Sequence, residues 1–458
     1  MSRFDEAQER DAILFVGSYL DSQKKALAKL SKELGRELIA FLIVDVTDTA
    51  TVNAKNDPKT KVIACDFSSP LALQKALAPY RHRFLAVTCR AEKNVPLLKK
   101  VIPYVPYLNT PTELSLDWTT DKIRMRQLLR NYDRTISPKF LVVHDASPAT
   151  LDRIEKTVGF PLIIKPSGLA ASLLVSLVFH REELESYLKN TVRKIDQIYK
   201  KKKGRGEPQI LVEEFMDGTM YSIDSYVNQR GVVYHTPLVH VKTGRSVGFE
   251  DFFGYMRITP VQLKPHKVEA ARRVAEKAIE ALSLRSTTCH VELMKTEDGW
   301  KVIELGPRMG GFRHDMYEQS YGLDHSMNDI LIRMPKKPVL TKKVRGFTVV
   351  MQFYSHQKGR LQSIEGVNRA RKLESFSSIL LKKKIGDMCD FARNGDDPIF
   401  DIVLFNKNRS NLLADIRRLE QAINIKVRRP VRVASKSAAI LKDVDTVEPV
   451  ESDEPTEL

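Results

Sequence analysis

Apolar runs and helix-patterned stretches alternate from the start of the chain. Ile13 to Gly17 is a short apolar run, a Lys- and Leu-rich helical pattern follows up to Leu34, and a second apolar run spans Leu38 to Val46 with Asp45 near its end. Val62 to Ala64 and Phe84 to Val87 continue the series, separated by a helical stretch from Leu71 to Pro79. Alternation of this kind predicts a parallel sheet flanked by helices, an α/β Rossmann-like N-terminal domain over residues 1–110. Its first turn, Gly17-Ser18-Tyr19-Leu20, lacks the glycine fingerprint of a dinucleotide site, so no NAD is assigned. The Pro-marked stretch from Pro103 to Pro111 reads as a boundary.

The pattern then changes. A helix is predicted from Thr119, capped by Thr120 or Asp121, and Pro148 opens another that ends near Gly159. Pro161-Leu-Ile-Ile-Lys165-Pro166 reads as a buried strand ending in a lysine. Ser167 to Ser172 is built of small residues, Gly168, Ala170 and Ala171 among them, and leads into a second strand within Leu173 to Phe179. Strand, small-residue loop and strand make a hairpin that can fold over a ligand. Glu182 to Tyr199 is predicted as a helix, the run Lys200 to Lys203 as a basic loop, and Gln209 to Phe215 as a strand that breaks at Met216-Asp217-Gly218. Tyr221 to Val227 and Gly231 to Val241 form a hairpin turned at residues 228–231. After a helix from Pro265 to Leu282 come two strands, His290 to Met294 and Lys301 to Leu305, joined by the turn signal Asp298-Gly299. Strand-like pieces at 379–381 and 399–405 and a helix from Leu412 to Ile423 predict a small C-terminal α+β domain over 336–433. Residues 434–458 form an acidic, Pro-rich tail without aromatics, expected to be disordered.

Composition changes this picture in one respect. At 458 residues the chain suits two to four domains. No apolar stretch approaches the roughly 20 residues that span a bilayer, and Met1 to Asp11 has neither the basic start nor the apolar run of a secretory signal. A cytoplasmic protein without a membrane partner is expected. Cys65, Cys89, Cys289 and Cys389 form no close pair and read as buried, reduced thiols. The net charge of +17 is unusual: the last sixteen residues carry seven carboxylates and no base, which leaves +24 on residues 1–442. That balance would suit nucleic acid, an anionic surface or acidic small molecules. Because the bases are dispersed and no basic stripe interleaves with aromatics, nucleic acid is not the expected partner.

The informative chemistry is the pair Glu292 and Glu304, one on each strand of a predicted hairpin, with Pro307-Arg308-Met309-Gly310-Gly311 following. Two antiparallel strands can set both carboxylates on one face, where oxygen ligands suit a hard cation such as magnesium; two solvated glutamates on a hairpin edge is the plainer alternative. Upstream stand Lys165, the small-residue loop and a strand carrying Glu213-Glu214-Phe215. A lysine offers a point charge to phosphate, and a loop without bulky side chains lets backbone amides approach it.

In this order and with these gaps, the pieces resemble the ATP-grasp superfamily, over roughly Pro111 to Met334. The C-terminal segment, with Gly359, Gly386-Asp387 and Asn394-Gly395, looks like that of the L-amino acid ligase branch. The resemblance implies an ATP-grasp domain over 111–335 with a lid at about 125–205. It also implies a carboxylate-amine ligase that uses ATP with magnesium, manganese being the alternative ion. By position, nucleotide phosphates fall to Lys122 and Lys165, with Ser172 in the loop. The adenine hinge falls on Glu213, Glu214, Phe215 and Met216: backbone groups of Glu214 and Met216 would read the base edge and Glu213 its exocyclic amine. Metal falls to Glu292 and Glu304, and Arg308 matches the arginine that steadies the transferring phosphate. Catalysis would rest on Arg308 and Lys165, while His290, Arg308, Arg313 and His314 would line the acid's pocket. For the histidines a hydrogen-bonded core role is the alternative, and for Arg313 a surface charge.

The resemblance implies phosphoryl transfer from ATP to a small carboxylic acid, then attack by an amine on the acyl-phosphate. Three departures stand out. Gly306 occupies a position where the family usually has asparagine. Met220 stands where an acidic residue commonly holds the ribose, so that Asp217 or Asp224 would have to substitute, and the phosphate loop is poor in glycine. Met220 and Gly306 support the alternative of a non-catalytic ATP-binding sensor or scaffold. The stretch from Gly244 to Tyr255 reads either as a substrate loop or as a connection packed by its phenylalanines. The oligomeric state is open, a homodimer being allowed.

Overall fold

The apolar runs of the first ninety residues do form a parallel sheet. In the computed structural model, which describes residues 10–48, 60–167, 175–202, 208–248, 252–392 and 397–428, the strand order is Thr60–Cys65, Ile39–Asp45, Ala12–Val16, Phe84–Cys89, and every pairing is parallel. Ser172 and most of its loop, Glu250-Asp251, Asn394-Gly395, Lys203 and the acidic tail lie outside the described residues. Ala12–Val16 is buried at every position, as a strand covered on both faces must be. One face packs on Asp21–Leu34 and on a helix from far downstream, His325–Arg333, whose Met327, Ile330 and Leu331 join the same core as Phe15 and Val44. That helix fastens the N-terminal domain to the rest. Its buried Asp329 accepts from Thr88 and Thr288, both at 2.6 Å.

The helix expected from Thr119 is two helices. Glu113–Thr120 is capped by the Thr112 hydroxyl, and Lys122–Tyr132 by Asp121, which accepts from the amides of Ile123 and Arg124 at 2.9 and 3.0 Å. The first escapes a periodicity reading because it is barely two turns long. An antiparallel sheet follows in the order Phe140–Val143, Ile210–Glu214, Leu162–Pro166, Ser176–Val178, so the Lys165 strand does turn back on itself. The helix Arg181–Lys202 runs into the basic segment that was expected to be a loop. Lysine is a good helix former, and no Gly or Pro interrupts the run up to Lys202.

The largest sheet runs Gly299–Gly306, Thr287–Thr296, Thr219–Val227, Val239–Thr243, Gly254–Thr259, Phe347–Phe353, Phe400–Asn406, Phe376–Leu381, with Val233–His235 against the end of Thr219–Val227. The strands expected in a separate C-terminal unit thus extend the central sheet, through the pairing of Met256 with Met351. Gly359–Glu365, Met388–Cys389 and Asn424–Arg428 form a smaller sheet. Among the described residues no helix is long and apolar enough to cross a membrane. All four cysteines are free and buried.

Candidate active site

The hairpin 287–306 sets the site. It turns at Gly299, whose φ of +126° is a conformation that side-chain-bearing residues rarely adopt. The register it fixes places Glu292 directly opposite Glu304, so both carboxylates leave the same face of the sheet. They line a cavity of about 440 Å³ together with Glu92, Met220, Arg257, His290, Gly306, Arg308, Arg313, Gln352 and Tyr354, and with Phe252, Phe253 and Phe312. Burial opposes ionisation of Glu292, but the His290 hydrogen bond and the charges of His290, Arg308 and Arg313 outweigh it and bring its pKa to about 2. An ionised carboxylate paired with a second one is a donor set that suits a hard cation, with phosphate oxygens and water completing the coordination. Among the described residues no group of three or more His, Cys, Asp or Glu side chains is assembled as a metal cluster.

His290 acts behind Glu292 as well as lining the cavity. Its Nδ1 lies 2.6 Å from Asp224 and its Nε2 3.4 Å from Glu292. Asp224 is fully buried, and its oxygens are further taken by the ring of His325 at 2.7 Å and the Gly310 amide at 2.7 Å. Burial works against its ionisation, yet the two histidines hold its pKa well below the usual carboxylate range. Asp224, one of the two alternatives for a ribose contact, is thus engaged inside the protein; it ties His290 to the loop after the hairpin. Asp217 is exposed, and Met220 lines the cavity with a thioether.

Gly306 has a local reason. A Cβ there would come within 2.8 Å of Glu92 Oε2 and 3.6 Å of the Arg308 guanidinium, so the volume an asparagine would fill already holds an ion pair. Arg308 Nε donates to Glu92 at 2.8 Å across 216 residues of sequence, and Arg90 donates to the carbonyls of Met309 and Gly310 at 3.0 and 3.2 Å. The N-terminal domain thus supplies Glu92 and Arg90 to the site. Nothing in the local sequence of either flagged it.

Of the lysines expected to face nucleotide phosphates, Lys165 meets Glu213 at 2.6 Å and Lys122 meets Glu304 at 3.7 Å. Glu213 is buried, and both its oxygens are engaged, since Arg126 binds it through Nε at 2.6 Å and Nη2 at 3.4 Å. The carboxylate expected to read an exocyclic amine instead balances two cations. Arg126 also donates to the carbonyls of Val302 and Ile303, at 3.2 and 2.6 Å, which joins the strand Ile210–Glu214 to the hairpin 287–306. Burial, with Arg126 and Lys122 nearby, outweighs Glu213 and lowers the Lys165 pKa. At the hinge, the Glu214 amide is used by the Lys139 carbonyl at 2.9 Å and the Phe215 amide by Pro161 at 3.1 Å. A base edge there would meet the Glu214 carbonyl and the Met216 backbone. The Glu214 carboxylate binds Lys301 at 3.1 Å, and Arg245 lies between the rings of Phe215 and Phe252, 5.6 and 5.5 Å away.

Arg313 is buried and reaches the cavity, donating to Ser222 at 2.6 Å and to the Gly311 carbonyl at 3.0 Å. His314 does not line it. Its Nδ1 faces the Ser326 hydroxyl at 3.1 Å, because the left-handed turn at Phe312 starts the helix Arg313–Tyr321 with successive side chains on different faces. Of the 244–255 stretch, Phe252 and Phe253 line the cavity, and Phe253 packs 4.3 Å from Tyr354.

Residues 158–315 match the ATP-grasp domain family. An alanine–anticapsin ligase of Bacillus amyloliquefaciens is 29% identical over 34% of this chain and 34% of its own length. An uncharacterised protein of Sinorhizobium fredii is 24% identical over 60% of this chain and 55% of its own. The chain thus spans from a third to about half of the length of these curated relatives. Among solved structures, the L-amino acid ligase from Bacillus licheniformis superposes with a TM-score of 0.73 at 17% identity, covering 92% of this chain and 100% of the other. N5-carboxyaminoimidazole ribonucleotide synthetase from Thermotoga maritima gives 0.63 at 16% identity, over 91% and 100%. At these identities the likeness is one of fold.

Proposed function

We propose that this chain, which has the ATP-grasp fold and carries an ATP-grasp domain in residues 158–315, is an ATP-dependent ligase joining a small carboxylic acid to an amine. The observation that carries the reading is the register pairing of Glu292 with Glu304 on the wall of a cavity that also holds Arg308 and Arg313. We divide the chain into an N-terminal domain (1–110), an ATP-grasp domain (111–335) with its lid at about 125–205, and a C-terminal region whose strands extend the same sheet.

In this account ATP lies between the hinge 213–216 and the hairpin 287–306, with Lys122 and Lys165 on its phosphates. Magnesium, or manganese in its place, would be held by Glu292 and Glu304 and would neutralise phosphate charge. A carboxylate oxygen of the acid attacks the γ-phosphorus, forming a C–O–P bond as the bond to ADP breaks. Arg308, aimed by Glu92, faces the charge spread over the transferring oxygens. The amine then attacks the acyl carbon, loses a proton, and phosphate departs with the C–O pair. Positioning does most of this work, and no enzyme nucleophile is needed. Four buried, unbridged thiols fit a cytoplasmic setting.

The test is phosphate release from ATP and magnesium against a panel of carboxylic acids with pooled amines, beside Lys165→Ala. Release that needs an acid and rises with an amine is expected. Lys165→Ala should lower kcat/KM for ATP by about 10²-fold, through loss of a phosphate cation from a water-poor site. Tight ATP binding with no release under any condition would instead favour a non-catalytic nucleotide sensor, the reading to which Met220 lends support.

A further inference from the structure

The charges lining the cavity do not cancel once each is given its task. Among the described residues three carboxylates, Glu92, Glu292 and Glu304, face three arginines, Arg257, Arg308 and Arg313. Glu92 is spent on Arg308, and in the proposed reaction Glu292 and Glu304 are spent on the metal. Arg257 and Arg313 are left, and neither makes an ion pair among the described residues. An acid with one carboxylate can answer only one of them.

Arg257 is also a built position. It stands on Gly254–Thr259, three strands across the sheet from Glu292, about 14 Å at the usual strand spacing. Its Nη1 donates to the Gly254 carbonyl at 3.0 Å and to Gln352 Oε1 at 2.8 Å, and Gln352 is itself held by Asp401 at 2.9 Å. The guanidinium lies 5.4 Å from the Phe312 ring and flat over Gly254, where a Cβ would come within 2.3 Å of Nη2. Nε and Nη2 make no hydrogen bond among the described residues. Arg313 adds a second unmet donor, a buried Nε without a partner. Burial and the neighbouring Arg313 charge bring the Arg257 pKa down to about 10, against the opposing pull of Glu292 and Asp401.

We infer that the acid taken by this site carries a second, non-reacting anionic group, and that Arg257, braced by Gln352 and Gly254, receives it while the reacting carboxylate faces Arg313. The group is a carboxylate or a phosphate-type anion. Arg257 is then a specificity residue, not a catalytic one. The inference rests on the ligase reading for the fate of the acid's other end.

Calorimetry with the full chain, magnesium and a non-hydrolysable ATP analogue can separate the two ideas, with glutarate, 4-phosphonobutyrate and butyrate as probes. Glutarate or the phosphonate should bind at least about tenfold tighter than butyrate, and the better of the two identifies the anion. Arg257→Leu should erase that preference. Gly254→Ala, which displaces the guanidinium and keeps its charge, should reduce it, and an unchanged melting temperature shows that either variant has folded. Butyrate binding as tightly as both dianions, no binding of any probe, or a preference untouched in both variants would overturn the inference. Phosphate release from ATP, measured in parallel with the same acids and pooled amines, reports on the other reading. Dianion selectivity without release would sink the ligase and keep the pocket, and release with monocarboxylates alone would do the reverse.

Discussion

Replacing Glu304 by glutamine is expected to lower acid-dependent phosphate release by about 10³-fold, roughly 4 kcal/mol of transition-state stabilisation, with little change in thermal stability. The side chains are isosteric, and the only ion pair lost among the described residues is the one with Lys122, 3.7 Å long and with Glu304 43% exposed, an arrangement worth at most about 1 kcal/mol. What the glutamine removes is half of the carboxylate pair that the hairpin register sets against Glu292. The expected signature is a need for much higher magnesium at unchanged affinity for the acid. A variant that keeps wild-type rates at low magnesium would mean that the pair is a solvated hairpin edge.

The second large effect is structural. Arg126→Met is expected to cost about 3–5 kcal/mol, because it strips a buried carboxylate of its bidentate partner and two carbonyls of their donor. A fall in melting temperature of roughly 10 °C follows. The effect should also show in acid. Burial works against ionisation of Glu213, but Arg126 and Lys165 outweigh it and lower its pKa from 4.5 to about 2. A carboxylate depressed by folding lends stability that is complete above its unfolded pKa and disappears as pH falls through the folded one, here the window from about 4.5 to 2. Without Arg126 the Glu213 pKa rises and acid unfolding begins at higher pH. Adding Glu213→Gln should not restore the loss at pH 7, since it leaves the buried Lys165 without its carboxylate partner. A single variant that melts within about 2 °C of the parent would contradict this account of the cluster.

Much of the fold was legible because it rests on local signals. Strands buried on both faces announce themselves as unbroken apolar runs, and Asp298-Gly299 announces a turn whatever lies around it. That turn fixed the register, which is why Glu292 and Glu304 could be paired from the sequence. The rest depends on partners that sequence distance conceals. Glu92 reaches Arg308 across 216 positions, and Arg126 has meaning only once the hinge strand and the hairpin lie on either side of it. The strand-like pieces at 379–381 and 399–405 gave the elements but not the sheet they join, since an apolar run does not say which edge it extends. His314 was misplaced for a smaller reason. Arg313 and His314 are neighbours in sequence, but at the start of a helix they diverge, one into the cavity and one toward Ser326.

The central claim is that the acid itself is phosphorylated before the amine attacks. It is tested most directly with an acid from the active panel, labelled with oxygen-18 in its carboxylate, turned over with unlabelled ATP, amine and water. The account predicts one labelled oxygen in every phosphate released, carried from the acid through the C–O–P bond. Phosphate released without label would mean that ATP is cleaved by water, and would contradict carboxylate activation at this site.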